Sequence, residues 1–488
     1  MTYTFQQLAE QFADRPAITD GDLQLSYQQL YQRVQALSET FSALQLRSIA
    51  LHGGNSIDWV VVDLACQQAN IVLLPLPPFF SLSQIDACLE QAGSQLLLSE
   101  DANLASKLQQ TVSPLTSGIA RYHAVSITPK QPAQLPQGTA KITFTSGSTG
   151  NPKGVCLTTE HQWRVAQSLA TVTALNQPKH LALLPLSTLL ENIAGVYSPL
   201  LCGGTVIVPS EQQRGMLGSS KLDHKALLAC ISQWQPNSII LIPQLLLLLV
   251  NACLQGWQPP VSLKFVAVGG GKVSPTILAQ AHQLGLPVYE GYGLSECGSV
   301  VALNTATQQV DGSVGQVLPH CQVNIVNNEV VVSGACHLGY AGVPSSWYPQ
   351  QIHTGDLGRC RNGWLWINGR SKNLLISSFG RNISPEWVES EIMAEPFMRQ
   401  CMVLGDAEPY LSAIVSCSEL VDNVQLASYM ARVNQQLPDY AQVWHWLRVS
   451  PAQLAPFTTA NGRLIRDAIL SAFADQIAAL YHGESAAS

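Results

Sequence analysis

Residues 141–155 read Lys-Ile-Thr-Phe-Thr-Ser-Gly-Ser-Thr-Gly-Asn-Pro-Lys-Gly-Val, a β-branched start followed by a run of hydroxyls and glycines. Ile142 and Thr143 predict a strand, and the strand leads into a loop closed by Lys153. Gly147, Gly150 and Gly154 permit close backbone approach and positive φ. Thr145, Ser146, Ser148 and Thr149 offer hydroxyls to phosphate oxygens, and Lys153 offers them a point charge. A Ser/Gly-rich surface turn requires no particular order of hydroxyl, glycine and lysine behind a strand, whereas a phosphate cradle does. The segment is not a Walker A loop, because it lacks G-x-x-x-x-G-K-[ST] and its lysine precedes a glycine.

On both sides of this loop, helical and strand-like patterns alternate. Residues 5–12, 27–41 and 85–91 have helical spacing of apolar positions, and 49–51, 71–77 and 96–98 read as buried strands. The pattern continues through 181–185, 205–209, 238–243 and 264–268. Such alternation predicts parallel sheets covered by helices. After about Gly312 the texture changes to short alternating strands at 322–326 and 329–333, joined by Asn327-Asn328 as a hairpin turn, with another at 364–368. A new α/β pattern begins near Lys372, with helices starting at Glu386 and covering 426–437.

The bulk numbers exclude several classes. The chain has 488 residues, 47% of them hydrophobic, enough for a large core and more than one domain. Net charge is −7 with 12% charged residues and no extended basic run, so no nucleic-acid footprint is visible. Twelve cysteines are scattered without C-x-x-C or zinc spacing, which predicts reduced thiols in a cytoplasmic protein. Residues 1–12 lack the basic start and apolar stretch of a signal peptide. The greasiest run, 239–250, is too short to span a bilayer and is interrupted by Pro243 and Gln244, so it reads as buried core or a pocket wall.

The 141–155 loop resembles the signature loop of the superfamily of acyl-CoA synthetases, non-ribosomal peptide adenylation domains and firefly luciferases, and within it residues 184–195 and 377–386 are most similar to the fatty acyl-CoA synthetases. Further motifs follow in family order, so the resemblance covers nearly the whole chain. It implies an α/β fold with a large N-terminal domain, residues 1–371, made of two α/β subdomains plus a small β-barrel-like subdomain. A small mobile α+β C-terminal domain, residues 372–488, would follow as a lid. Tyr289-Glu290-Gly291-Tyr292-Gly293-Leu294-Ser295-Glu296 resembles the second signature. By that likeness Glu296, with Thr145, holds Mg²⁺, Ser295 touches the α-phosphate of ATP, Tyr292 lies near the adenine, and Glu290, Gly291 and Gly293 belong to the nucleotide site. A hard cation bridging phosphates suits a carboxylate oxygen. Gly269, Gly270 and Gly271, before Lys272, resemble the glycine turn that borders the adenine and the acyl pocket. His353-Thr354-Gly355-Asp356 and Gly369-Arg370 match the elements in which Asp356 accepts from both ribose hydroxyls and Arg370 contacts ribose or phosphate.

In this superfamily one site runs two half-reactions, and the resemblance places the hinge at Lys372. Gly380, within Ser377-Ser-Phe-Gly-Arg-Asn-Ile-Ser-Pro-Glu386, would let the pantetheine arm of CoA pass. Ser384-Pro385-Glu386 also reads as a helix start, with an N-cap serine, proline at the first position and an acid in the first turn. Thr459-Ala-Asn-Gly-Arg463-Leu-Ile-Arg466 resembles the C-terminal motif, with Arg463 where the family has its adenylation lysine. Arg is bulkier and forked, so efficient adenylation is in question, and Arg466 and Lys272 are the alternative cations.

The implied reaction joins a carboxylic acid to ATP as acyl-AMP, releases pyrophosphate and passes the acyl group to a thiol, with Lys153, Glu296 and Arg463 as the catalytic residues. No Asp for a substrate amine follows Leu184-Pro-Leu-Ser187, and residues 242–248 with Val300 form apolar pocket walls, which favours a fatty or other apolar acid. Glu191 would assist Mg²⁺ or serve as a cap or core edge. No carrier domain follows Ser488, so the thiol would be CoA or the phosphopantetheine of a carrier protein supplied in trans. An acyl-AMP ligase loading such a carrier, and a degenerate binding member with weak turnover, are the rival expectations.

Overall fold

The computed structural model of the protein describes residues 5–112, 119, 121–145, 153–217, 221–378, 381–459 and 462–481. Ser146, Gly147, Ser148, Thr149, Gly150 and Gly380 lie outside the described residues. Strands Lys141–Thr145 and Lys153–Leu157 pair antiparallel, with Thr145 opposite Lys153. Lys141–Thr145 joins the parallel strands Val72–Leu76, Ser48–His52 and Leu96–Ser99. All of Leu96–Ser99 is buried, and only an end residue of each of the other two is not, as expected of strands covered on both faces. On the far side Gly339–Tyr340 adds to the edge beside Lys153–Leu157.

A second, larger sheet has a parallel part and an antiparallel part. The parallel strands are Pro16–Thr19, Thr205–Ile207, Lys179–Leu181, Ser238–Leu241, Phe265–Val268 and Val288–Tyr292. Strand Val288–Tyr292 is the junction. Val288, Tyr289 and Glu290 pair parallel with Val266, Ala267 and Val268, whereas Gly291 and Tyr292 pair antiparallel with Leu303 and Ala302. The β-rich region is thus continuous with the parallel sheet. Its hairpin at Asn327 and Asn328 has φ of 50° and 66°, the left-handed pair that a tight turn between twisted strands requires.

From Leu375 onward the chain builds its own sheet of Met398–Leu404, Leu411–Cys417 and Val443–Arg448, covered by helices Pro385–Ile392 and Asn423–Gln436. Val388, Val403, Leu411 and Met430 centre a separate apolar cluster. Pro385 opens its helix as expected, but Ser384 makes no side-chain cap bond. Its hydroxyl donates instead to Glu386 Oε2 at 3.0 Å, a charged and therefore stronger acceptor.

Helix Ile57–Gln68, capped by Ser56 on Trp59 N–H, carries Asp63 fully buried in the core. Lys141, 1% exposed, places its ammonium 2.8 Å from Asp63 Oδ1. The same ammonium donates to Asn192 Oδ1 at 2.5 Å and to Tyr197 Oη at 2.8 Å. Tyr197 and Asn192 both donate to Asp63 Oδ2, at 2.6 and 2.8 Å. The last two residues sit on a π-helical turn, Glu191–Tyr197. Glu191 on the same turn is fully buried and accepts from Leu184 N–H at 3.0 Å, with His180 Nε2 2.8 Å away. It is therefore core and not an aid to a metal. Burial lowers the Lys141 pKa, and the Asp63 charge opposes that shift. Lys141→Met should strand a buried carboxylate and cost ~3–5 kcal/mol in chemical denaturation. The double variant Lys141→Met/Asp63→Leu should recover most of that loss, and an equal loss in the double would show that the charge pair is not the cause.

Candidate active site

Strands Gln351–Arg361 and Trp364–Arg370 form a hairpin whose register sets Asp356 opposite Arg370. The two side chains pair, Arg370 Nε donating to Asp356 Oδ1 at 2.8 Å. Tyr292, at the end of the junction strand, donates its hydroxyl to Asp356 Oδ2 at 2.5 Å. Asp356 is 4% exposed. Its pKa is raised by burial, with Arg370 and the Tyr292 bond acting against that rise. Each oxygen has one protein partner and keeps lone-pair capacity, so the carboxylate can still accept from a diol. Three residues expected in the nucleotide site are thus in direct contact.

The glycine turn follows strand Phe265–Val268. Gly270 has φ 78°, and a Cβ on Gly269 would stand 3.2 Å from the Gly291 carbonyl. Gly293 admits no side chain, because its Cβ would fall 1.6 Å from Ser299 O. Glu290 and Lys272 face a cavity of about 960 Å³ that also meets Trp366 and, from the C-terminal part, Ile383 and Trp387. Burial raises the Glu290 pKa to about 7, and Lys272 pulls against it. Of the expected apolar walls, Ile242 lies beside Gly270 and Pro243 beside Gly271. Leu245, Leu246 and Val300 are instead packed into the core clusters, because helix Pro243–Leu254 turns that face inward.

Ser295 and Glu296 lie on a short 3₁₀ turn, Ser295–Cys297, whose Glu296 carbonyl accepts from His337 N–H at 2.7 Å. Tyr340 donates its hydroxyl to Glu296 Oε1 at 2.9 Å. Lys153 Nζ sits 5.4 Å from the centre of the Tyr340 ring. Among the described residues Glu296 Oε2 accepts no hydrogen bond, so a half-buried hard oxygen is left for a cation, and the donor chemistry fits Mg²⁺. Tyr340 was missed by sequence reasoning. It lies 44 residues beyond Glu296, and only its place on the sheet edge brings it here.

The C-terminal part reaches the same place. Arg463 Nη2 donates to Gly270 O at 2.8 Å, and Arg370 and Asp356 are the charges that act on it. Glu391 Oε2 accepts from Ser274 and Thr276 at 3.0 and 3.1 Å, tying helix Pro385–Ile392 to the large part. Lys372 is exposed on the turn Ser371–Asn373, and Asn373 donates to Glu386 Oε1 at 2.6 Å. Arg466, the alternative cation, is held away by an ion pair to Glu389 at 2.5 Å and a bond to Val403 O. Lys272 donates weakly to Ile367 O at 3.5 Å.

Tyr292, Asp356 and Arg370 are thus joined at the end of the junction strand, and Arg463 reaches the glycine turn from the C-terminal part. The AMP-binding enzyme family matches residues 5–336 and the AMP-binding enzyme C-terminal domain matches residues 372–485, and the chain belongs to that family. It is an AMP-forming acid–thiol ligase. It is 25% identical to the 2-succinylbenzoate–CoA ligase of Staphylococcus aureus (strain Newman) over 96% of this chain and 99% of that protein. The anthranilate CoA ligase AuaEII in complex with anthranoyl-AMP shares the fold with TM-score 0.79, 16% identity and 98% coverage of each chain. O-succinylbenzoate Coenzyme A Synthetase of Bacillus subtilis in complex with ATP and magnesium ion does so with TM-score 0.76, 22% identity and coverage of 95% and 98%.

Glu290 gives a pH signature. Its folded pKa of about 7 lies above the ordinary 4.5, so the folded state holds more protons between those values. Stability contributed by the neutral carboxyl is complete below the lower value and is lost as pH rises through the upper one. Between pH 5 and pH 8 the parent should therefore lose thermal stability that Glu290→Gln keeps. Parallel melting curves of the two proteins across that range would refute the burial of this group.

Proposed function

We propose that the protein activates an aromatic or comparably flat apolar acid with ATP and transfers the acyl group to CoA. The acid carboxylate attacks the α-phosphorus, the bond to the bridging oxygen breaks and pyrophosphate leaves. The CoA sulfur then attacks the acyl carbon, and AMP leaves with the bonding pair. The observation that carries this reading is the meeting of Arg463 from the C-terminal part with the glycine turn, beside the Tyr292–Asp356–Arg370 cluster. In this reading Asp356 holds the ribose hydroxyls, Arg370 and Ser295 contact phosphate, and Tyr292 and Gly269–Gly271 border the adenine. Lys153 would supply its charge to the β- and γ-phosphates, and the hydroxyls of Thr145, Ser146, Ser148 and Thr149 would donate to phosphate oxygens. Glu296 would hold Mg²⁺, which neutralises phosphate charge when bound. Arg463 offsets charge developing on the α-phosphate and carboxylate. Residues 372–488 act as the moving lid, and Gly380 gives passage to pantetheine. We place the enzyme in the cytoplasm, where its free thiols stay reduced. None of the described helices is long and apolar enough to cross a membrane.

The sequence pointed to fatty acids, whereas the relatives named above act by name on succinylbenzoate and anthranilate. That supports an aryl acid over a purely aliphatic one. Pyrophosphate release should therefore be faster with aryl acids than with straight-chain fatty acids, and thioester should form with free CoA. Faster release with the aliphatic set would overturn the substrate class. Arg463→Ala should slow single-turnover acyl-AMP formation by ~100-fold, since a contact misplaced by about 1 Å has that effect. The thioester step should change little. Arg463→Lys should accelerate the first step, because a compact ammonium fits the in-line geometry better than a fork. Undiminished adenylation in Arg463→Ala would remove this side chain from the site.

A further inference from the structure

We propose that Tyr340 is a positioning residue that sets the two oppositely charged groups of the triphosphate end, Glu296 through its hydroxyl and Lys153 through its ring. The proposal rests on the functional reading above. Its geometry is local. Tyr340 lies on strand Gly339–Tyr340, which pairs with Lys153–Leu157 so that Tyr340 faces Val155, two residues from Lys153. The hydroxyl donates to Glu296 Oε1 at 2.9 Å, and the Lys153 ammonium lies 5.4 Å from the ring centre. The same segment holds the Glu296 backbone, through His337 N–H to Glu296 O at 2.7 Å, and the His337 ring packs edge-on against Tyr340 at 4.8 Å. Glu296 is therefore gripped at main chain and side chain by one four-residue stretch, His337 to Tyr340.

A donor on Oε1 fixes the carboxylate rotamer and leaves Oε2 for the cation, and partners of this kind hold metal-binding carboxylates in place. The ring face attracts the ammonium and limits where a long, flexible lysine can carry its charge. One side chain thereby holds a cation and an anion of the protein at a set separation.

The two contacts can be cut separately. Tyr340→Phe keeps the ring and loses the hydroxyl. Its half-saturating free Mg²⁺ for pyrophosphate release should rise ~10–100-fold, the usual effect of losing such a partner. Mn²⁺ binding to the enzyme–ATP complex, followed by electron paramagnetic resonance, should weaken by the same factor without any turnover. Tyr340→Leu should add a rise in the KM for ATP that persists at saturating Mg²⁺. Unchanged Mn²⁺ affinity in Tyr340→Phe would overturn the proposal, as would a Tyr340→Leu enzyme with the same ATP KM as Tyr340→Phe. Glu296→Ala serves as the reference. If it also leaves Mn²⁺ affinity unchanged, the site reading itself fails; if it weakens Mn²⁺ while Tyr340→Phe does not, only the role of Tyr340 fails.

Discussion

A single ammonium in the core, Lys141 Nζ, orders the machinery around it. Removing a charge from water is costly, and the cost is offset only if every donor finds a partner. Here the partners come from helix Ile57–Gln68 and from the π-helical turn Glu191–Tyr197, and Lys141 itself opens the strand Lys141–Thr145. A one-residue slip of that strand would turn Lys141 to the other face and lose all of these contacts at once. Register is thereby fixed at Lys141, and with it the direction in which the strand delivers Thr145. The antiparallel return fixes Lys153 opposite Thr145. A charge pair buried far inside thus determines where the chemistry at the surface can stand.

The second constraint is the change of pairing within strand Val288–Tyr292. Parallel pairing holds Glu290 beside the glycine turn, and two residues later antiparallel pairing hands Tyr292 to the β-rich region. Tyr292 then reaches Asp356, whose partner Arg370 is set by hairpin register and not by sequence proximity. Nucleotide-site groups separated by more than sixty residues meet because one strand belongs to two kinds of sheet.

What could be read in the sequence was what local chemistry dictates. Asn327-Asn328 adopts the left-handed conformations its residues favour, and strands 322–326 and 329–333 end where their alternation ends. The glycine turn, Tyr292, Asp356 and Arg370 stood in recognisable order, and the fold brings them together. What stayed hidden was long-range. Lys141 carried no signal of its own, because nothing near it announces Asp63 or Tyr197. Glu191 could have served a metal or the core, and only the tertiary contact to His180 decides for the core. Tyr340 depends on a two-residue edge strand too short to leave a periodic signal. Arg466 looked free for catalysis until Glu389 claimed it.

The remaining synthesis concerns charge. Asp356 is already balanced by Arg370, and burial raises the Glu290 pKa to about 7, so that its charge is only partial at neutral pH. The Arg370 charge acts against the Arg463 guanidinium and the Asp356 charge acts for it, so one carboxylate serves both arginines. The one described hydrogen bond of the Arg463 guanidinium is to a neutral carbonyl, Gly270 O. A guanidinium placed next to another, without its own counter-ion, is stabilised by any anion that enters between them. Lys153 adds positive charge at the other end, with Glu296 as the acid set against it. Among the described residues these cations rest on a neutral carbonyl for Arg463, on Asp356 for Arg370 and on the Tyr340 ring for Lys153. Such a set of charges favours an anionic ligand over a neutral one.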